Sequence, residues 1–114
     1  MRYRIPVKPV STNTMYQSSG RKWKSAKYLK FERLCELHLS KYDLPDIPNH
    51  GDLEIHVLYG VSARFDIDNC LKAFIDILQK ELGFNDARIM RIVAEKTPVR
   101  RGQEFIEFEL FLRG

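Results

Sequence analysis

The segment RFDIDNCLKAFIDIL, residues 64–78, constrains the fold of this chain more than any other stretch of its sequence. Three aspartates and a lysine stand there among apolar residues of the kind that form protein cores. Isolated buried charges are costly unless they are paired or hold a metal. The segment is therefore either an ordinary amphipathic helix with a polar face or a functional site built beside the core.

Residue spacing predicts that this segment is extended at first and helical afterwards. In FDID, apolar and acidic residues alternate, so an extended backbone turns Phe65 and Ile67 inward. Asp66 and Asp68 then project to the same side, because side chains of a strand repeat every two residues. Residues i and i+2 of a helix do not face one another. We therefore expect extended backbone through Asp66 and a helix that begins near Asp68.

The helix that follows has a buried stripe and a polar face. Lys72 and Asp76 follow Asp68 in steps of four residues, so the three side chains share one helical face. Gly83 is a suitable residue to end the helix. The predicted buried stripe comprises Leu71, Phe74, Ile75, Leu78 and Leu82.

The remaining periodicities predict a single domain over residues 1–114, of α/β or α+β class. The predicted strands are RYRIPVKPV, DLEIHVLYG, ARIMRIVAEKT and EFIEFELFL, and a first helix covers residues 25–42. The order β-α-β-α-β-β indicates a small mixed sheet of about four strands with two helices packed on it. The buried stripe of the first helix is predicted to be Tyr28, Phe31, Cys35, Leu39 and Tyr42, widened by Leu34 and Leu37. STNTMYQSSGRKWKS has no periodicity and is predicted to be a long loop.

Composition limits the class of protein. The chain has 114 residues, 44% of them hydrophobic, which suffices for one core. No apolar run approaches the roughly 18 residues of a membrane span, and the start lacks a signal-peptide segment. Cys35 and Cys70 have no CxxC spacing, so we expect reduced, packed thiols in a cytoplasmic protein. The formal charge of +4 permits a polyanionic partner without requiring one.

A further acid, Asp86, follows the helix in the segment GFNDARI. A helix of about 15 residues is some 22 Å long, so Asp86 starts at the far end from Asp68. It comes near Asp66 and Asp68 only if the chain turns back along the sheet. Clustered carboxylates suit Mg²⁺ or Mn²⁺, and such ions promote phosphodiester hydrolysis. A nearby lysine such as Lys72 stabilises charge on a phosphate.

Each of these residues also has an ordinary structural explanation. Asp68 could be a helix N-cap, and Lys72 with Asp76 an exposed pair worth a few tenths of a kcal/mol. Asp86 could belong to an Asn-Asp turn. Only one member of the pair Asp66 and Asp68 can cap the helix. Spacing alone leaves the structural and catalytic interpretations open.

Taken together, FDIDNCLKAFIDIL and GFNDARI resemble the RusA family of Holliday junction resolvases. The family pattern has an Asp-x-Asp-Asn, a lysine, a further helical aspartate and an Asp-Asp pair. An opening Pro-x-Ser-x-Asn precedes these, and PVSTNTMY is similar to it. The matching residues are Asp66, Asp68, Asn69, Lys72, Asp76 and Asn85-Asp86, with Pro9, Ser11, Asn13 and Tyr16 near the start.

The resemblance implies a small homodimeric endonuclease that needs Mg²⁺, with Mn²⁺ as a substitute. Such an enzyme resolves four-way DNA junctions by paired nicks in recombination and repair, and the family is common in bacteria and their phages. By position, Asp66, Asp68 and Asp86 would be the catalytic, metal-binding carboxylates and Lys72 the catalytic lysine. The chain departs from the family pattern at Asn85, where the family has the first Asp of its pair.

Predicted DNA contacts come from basic segments and from the family pattern. Residues 21–33 are rich in lysine and arginine with Trp23 among them, suited to phosphate contact and base stacking. Alternatively, Lys24, Lys27 and Lys30 form a solvated helix face and Trp23 covers the helix start, and for the residues within the helix we favour this interpretation. VRRG is predicted to lie in a hairpin that reaches another DNA arm. The predicted DNA-binding residues are Asn13, Tyr16, Arg21, Lys22, Lys24, Asn69, Arg100 and Arg101.

Three other functions remain open on the sequence. The chain could be a non-catalytic module that binds branched DNA, or a nuclease that acts on flaps or RNA. A structural protein is the third. His38, His50 and His56 lack metal-ligand spacing, so packing or surface roles are expected for them.

Overall fold

A computed structural model describes residues 2–10, 16–18, 22–24, 26–44 and 46–113, with the backbone alone at 16–18, 22–24 and 69. The strands are β1 (Arg2–Ile5), β2 (Tyr16–Ser18), β3 (Lys22–Lys24), β4 (Asp52–Val61), β5 (Ile89–Pro98) and β6 (Phe105–Arg113). The helices are α1 (Ala26–Leu39) and α2 (Ile67–Leu82), and a short 3-10 turn covers Asp86–Arg88.

Four of the strands form one mixed sheet in the order β1-β6-β4-β5. Strands β4 and β5 are parallel and are joined through α2, whereas β6 pairs antiparallel with both of its neighbours. β1 is an edge strand, as expected from Pro6 directly after it. The predicted α+β class, with two helices on a small mixed sheet, is confirmed.

The core lies on one face of this sheet, beneath the two helices. Val57 of β4 is paired with Phe108 of β6, which is paired with Tyr3 of β1, and all three side chains are buried. Phe74 of α2 packs edge-on against Phe108, at 5.6 Å between ring centroids. The other face of the sheet is open and mostly charged.

The predicted start and end of α2 are confirmed. Asp66 has extended backbone (φ −96°, ψ 121°) and occupies the N-cap position, and its side chain makes no capping hydrogen bond. Asp68 lies in the first turn and is therefore not the N-cap. Gly83 ends the helix at φ 73°, and its N–H donates to the carbonyl of Gln79 at 2.9 Å. Positive φ favours glycine at this position.

Two predictions about connections are wrong. Part of the segment predicted as a long loop forms a small antiparallel ladder, in which Tyr16 pairs with Lys24 and Ser18 with Lys22. VRRG does not lie in a hairpin of neighbouring strands, because β4 lies between β5 and β6. The order of strands in a sheet depends on tertiary packing, which local turn signals do not report.

The predicted stripe of α1 is too wide. Tyr28, Phe31, Cys35 and Leu39 are buried, but Leu34 and Leu37 are exposed. The helix ends at Leu39, so Tyr42 lies outside it. There its hydroxyl donates to the carbonyl of Arg4, and its ring contacts Tyr3 edge-on.

Both cysteines are free and buried, as expected of packed thiols. Burial raises the pKa of Cys70 to about 12 and raises the pKa of Cys35 as well. Because both thiols stay protonated, neither is suited to act as a nucleophile. No helix in the described part of the chain is long and apolar enough to cross a membrane.

Two leucines of α1 offer a matched test of this packing. Leu39 is fully buried and Leu37 is 53% exposed. We expect Leu39→Ala to lower the free energy of unfolding by about 2–5 kcal/mol, because it leaves a cavity. Leu37→Ala should lower it by about 0.5 kcal/mol or less. Urea denaturation of both variants measures the difference, and equal losses would contradict the described orientation of α1.

Candidate active site

A groove of about 290 Å³ runs between α2 and the start of β5. Its walls combine charged side chains with an apolar floor. The lining residues are Asp68, Leu71, Lys72, Ile75, Asp76, Asp86, Ile89 and Ile92. Three of the sequence-predicted acids, Asp68, Asp76 and Asp86, line this groove together with Lys72, so it is the candidate active site. Asp66 precedes the helix and is not among the lining residues.

Asp68, Lys72 and Asp76, which the four-residue spacing predicted to share one face of α2, all line the groove. Asp68 and Lys72 are exposed, and Asp76 one turn further on is half-buried. Lys72 is thus flanked by a carboxylate on each side along the helix, since residues four apart are neighbours on a helix surface. An ammonium in this place can contact an anionic ligand that enters the groove.

Asp86 is held at the opposite end of the groove by two hydrogen bonds. The Asn85 side-chain oxygen accepts from the Ala87 N–H at 2.9 Å and caps the 3-10 turn. The Asp86 N–H donates to the side-chain oxygen of Gln79 at 3.1 Å. Asn85 thus has a structural role here, and Asn and Asp cap about equally well.

Within one chain, Asp86 does not reach Asp66 and Asp68. Gln79, its hydrogen-bond partner, lies about 16 Å along the helix axis from Asp68, at 1.5 Å per residue. In the described part of the chain, no three His, Cys, Asp or Glu side chains are close enough to hold a metal together. Carboxylates are the donors that Mg²⁺ prefers, so the donor chemistry fits the ion. The arrangement does not, because no third carboxylate, imidazole or thiolate among the described residues joins Asp66 and Asp68.

Basic side chains gather at the end of the sheet where α2 begins. The Val99 N–H donates to the carbonyl of Val61 at 2.8 Å, which holds the turn with exposed Arg100 and Arg101 beside the loop into α2. The Lys96 amine donates to the carbonyl of Phe65 at 2.6 Å and fixes the residue before Asp66.

Sequence reasoning missed two cations at this end. Lys8 and Arg64 line a small depression beside Phe65, and both are exposed. No motif marks either residue. Lys8 and Arg64 come together only in the folded chain, where the segment after β1 and the loop after β4 lie at the same end of the sheet.

Several predicted DNA contacts cannot be placed. Asn13 and Arg21 lie outside the described residues. For Tyr16, Lys22, Lys24 and Asn69 the structure describes the backbone but not the side chain.

A second concavity lies on the open face of the sheet, and its charges pair with one another. Arg2 lies 3.7 Å from a carboxylate oxygen of Glu109, and Arg4 lies 3.0 Å from one of Glu107. Glu54 accepts a hydrogen bond from His56, which lowers the pKa of Glu54, with Arg91 adding to the effect. This network stabilises the sheet surface and lies on the opposite side from the groove.

Comparison with known families identifies the family of the chain. Residues 6–109 match the family described as endodeoxyribonuclease RusA. The chain belongs to the RusA family. The match spans the groove, both helices and most of the sheet, so the resemblance seen in the sequence is confirmed. RusA proteins are endodeoxyribonucleases that resolve Holliday junctions, and this chain therefore has the fold of a nuclease. No curated protein matched the chain.

Because the Asn85 side chain caps the 3-10 turn, we can predict how replacing it with the aspartate of the RusA pattern affects stability. Asn85→Asp should change the free energy of unfolding little, because Asp accepts the same hydrogen bond. Asn85→Ala should cost about 0.5–2 kcal/mol and loosen the turn around Asp86. Thermal denaturation and amide hydrogen exchange at Ala87 measure both effects. Equal protection of this amide in Asn85→Ala and wild type would show that the cap does not hold the turn.

Proposed function

We propose that this protein is a Mg²⁺-dependent endonuclease that resolves four-way DNA junctions by paired phosphodiester hydrolysis in recombination and repair. The observation that supports it most is the groove in which Asp68, Lys72, Asp76 and Asp86 converge on a basic, RusA-type fold. The groove is open to solvent beside exposed cations, so a phosphate backbone can reach it. Mn²⁺ is expected to substitute for Mg²⁺.

We assign a role to each of these residues from its position in the structure. Asp66, Asp68 and Asp86 would hold the metal, which when bound supplies an activated water and stabilises the leaving oxygen. Lys72 contacts the phosphate oxygens and stabilises the charge that develops on them. The basic end of the sheet, with Arg100 and Arg101, orients the DNA strand through its phosphates.

A two-fold homodimer suits this task, because a junction needs two matched cuts and a symmetric dimer presents two identical sites. A dimer would also overcome the separation of Asp86 from Asp66 and Asp68 within a single chain. Asp66 and Asp68 of one copy need a third carboxylate, and Asp86 of the other copy can supply it. We propose that each site takes Asp66 and Asp68 from one copy and Asp86 from its partner.

The free edge of β5 is a suitable place for the second copy. β5 is a long edge strand, and Met90 and Ile92 on it are exposed. Such edges readily pair with another strand. If two β5 strands pair antiparallel about Val93, Arg91 of each copy lies opposite Glu95 of the other. If the two-fold axis passes through residue 92 or 94 instead of Val93, Arg91 no longer lies opposite Glu95.

The same antiparallel register places Asp86 of one copy near Asp66 and Asp68 of the other. In this register Ile89 of one copy is paired with Thr97 of the other. Asp86 closely precedes Ile89, while Lys96 beside Thr97 is hydrogen-bonded to Phe65, next to Asp66. The partner's carboxylate is therefore delivered to the end of α2 that carries Asp66 and Asp68.

A non-catalytic module for branched DNA is the alternative, favoured by the separation of the carboxylates in one chain. It predicts junction binding without metal-dependent cleavage. A nuclease specific for flaps or RNA would instead cut those substrates in preference to junctions, which a substrate panel at matched salt distinguishes.

The carboxylates provide the first test. Asp66→Asn, Asp68→Asn and Asp86→Asn should each abolish Mg²⁺-dependent nicking of a labelled four-way junction while junction binding survives. Asp46→Asn is the matched control, because Asp46 is an exposed loop carboxylate outside the groove. Loss of junction binding in all three groove variants would point to a structural role for these acids.

Mixed dimers test whether a site is shared between copies. Asp68→Asn and Asp86→Asn chains, co-expressed with different tags, should form mixed dimers in which one site keeps all its carboxylates. Nicking should then return on one strand of each junction. If each chain builds its own site, mixed dimers stay inactive and the shared-site proposal fails.

Lys72 provides an independent test of transition-state stabilisation. Lys72→Ala should lower the single-turnover cleavage rate by about 10²–10³-fold, the usual cost of removing one charge-stabilising donor. Lys80→Ala is the matched control, since Lys80 lies on the same helix but pairs with Glu36 at 3.0 Å. A Lys72→Ala defect confined to junction affinity would reduce Lys72 to a phosphate contact.

A further inference from the structure

Helix α1 is apolar on two sides, and only one of them is used by the core. Its buried stripe faces the sheet and α2, while a second row of apolar side chains faces outward. This second row, here the outer seam of α1, borders a shallow depression of about 310 Å³. The outer seam consists of four apolar residues and two cations: Ala26, Leu29, Leu34 and Leu37, with Lys30 and Arg33 among them.

Residues of the outer seam are spaced along α1 as on a helix surface that packs against another helix. Ala26, Lys30, Arg33 and Leu37 recur in steps of four, three and four residues, the pattern along which a second helix packs. Leu29 and Leu37 are 47% and 53% exposed. A row of exposed leucines on one helix is the kind of contiguous apolar patch that marks an interaction site.

The charges within the seam indicate what packs there. Among the described residues, neither Lys30 nor Arg33 has an ion-pair partner, although both lie between the leucines. Of the two acids on α1, Glu36 is paired with Lys80 of α2, and Glu32 is likewise engaged in an interaction. Carboxylates on a partner that covers the leucines can pair with these two exposed cations, so charge complementarity favours an acidic partner.

The antiparallel pairing that centres the seam on a second copy of this chain does not provide those carboxylates. In an antiparallel two-fold pairing of the seam with itself, Ala26 lies opposite Leu37 and Lys30 opposite Arg33 of the other copy. Like charges directly opposed disfavour that pairing. Duplex DNA supplies anions for Lys30 and Arg33, but it leaves the exposed leucines without apolar contacts.

We infer that the outer seam of α1 is a docking surface for an acidic amphipathic helix of another protein. The leucines would pack against leucines of that helix, and Lys30 and Arg33 would pair with its glutamates or aspartates, the helix-in-groove mode of recognition. None of the seam residues lines the groove between α2 and β5. A protein docked on the seam therefore leaves the candidate active site open, and this inference does not depend on cleavage.

Fluorescence anisotropy with designed peptides tests the inference. The probe is a fluorescein-labelled helical peptide of about 21 residues, three heptads with leucine in the packing positions and glutamate flanking them. A matched peptide carries lysine in place of the glutamates. The full-length protein should bind the acidic peptide at least about tenfold more tightly than the basic one. Equal binding of the two peptides would overturn the charge assignment.

Protein variants locate the binding site. Leu34→Gln with Leu37→Gln should weaken binding of the acidic peptide at least about tenfold. Lys30→Glu with Arg33→Glu should reverse the preference between the two peptides. All four residues are exposed, so circular dichroism should show unchanged folding. Unchanged peptide binding in the leucine variant would refute the inference.

Two further readouts identify rival occupants of the seam. If wild-type protein self-associates in sedimentation and the leucine variant alone loses that association, the seam is a contact between copies and the inference fails. If the leucine variant loses affinity for a four-way junction and wild type does not bind the acidic peptide, the seam is a DNA surface. Normal junction affinity in the leucine variant, together with lost peptide binding, supports the inference.

Discussion

The packing of α2 against β4 and β5 is the constraint on which the rest of this structure depends. The helix connects two parallel neighbouring strands, and Phe74 and Leu78 at the centre of its apolar stripe are fully buried, while Leu71 and Leu82 are half-buried. That burial fixes the rotation of α2, which leaves Asp68, Lys72 and Asp76 facing the groove. The extended backbone at Asp66 and the left-handed Gly83 set where the helix begins and ends. A hydrophobic contact thus decides the direction in which the charged side chains point.

The same helix separates the carboxylates that the proposed chemistry needs together. Asp66 and Asp68 lie at its first turn, while Asp86 is tied to Gln79 near its last turn. A rigid helix of this length cannot bring both ends to one ion. The proposed symmetric dimer would bring them together, because antiparallel pairing of two copies would set the end of one α2 beside the start of the other. In this view the length of α2 makes dimerisation part of catalysis.

Local features of this fold were predictable from sequence, and features that depend on neighbouring strands were not. The extended Asp66, the helix after it and its stop at Gly83 are encoded within a few residues of one another. The hairpin expected around Arg100 was wrong because nothing local shows that β4 lies between β5 and β6. Leu34 and Leu37 were misassigned to the core because helical spacing alone does not show how wide the buried stripe is. Helix length predicted that Asp86 starts at the far end of α2 from Asp68, but no motif indicated the hydrogen bond to Gln79 that holds it there.

The measurement that tests the central claim most directly is cleavage of a labelled four-way junction beside a linear duplex of matched sequence, by wild-type protein with Mg²⁺ and with chelator. The account predicts symmetric nicks in two opposing strands of the junction, only in the presence of Mg²⁺, and no cleavage of the duplex. Tight junction binding without nicks in any divalent metal would contradict it and identify the protein as a binding module.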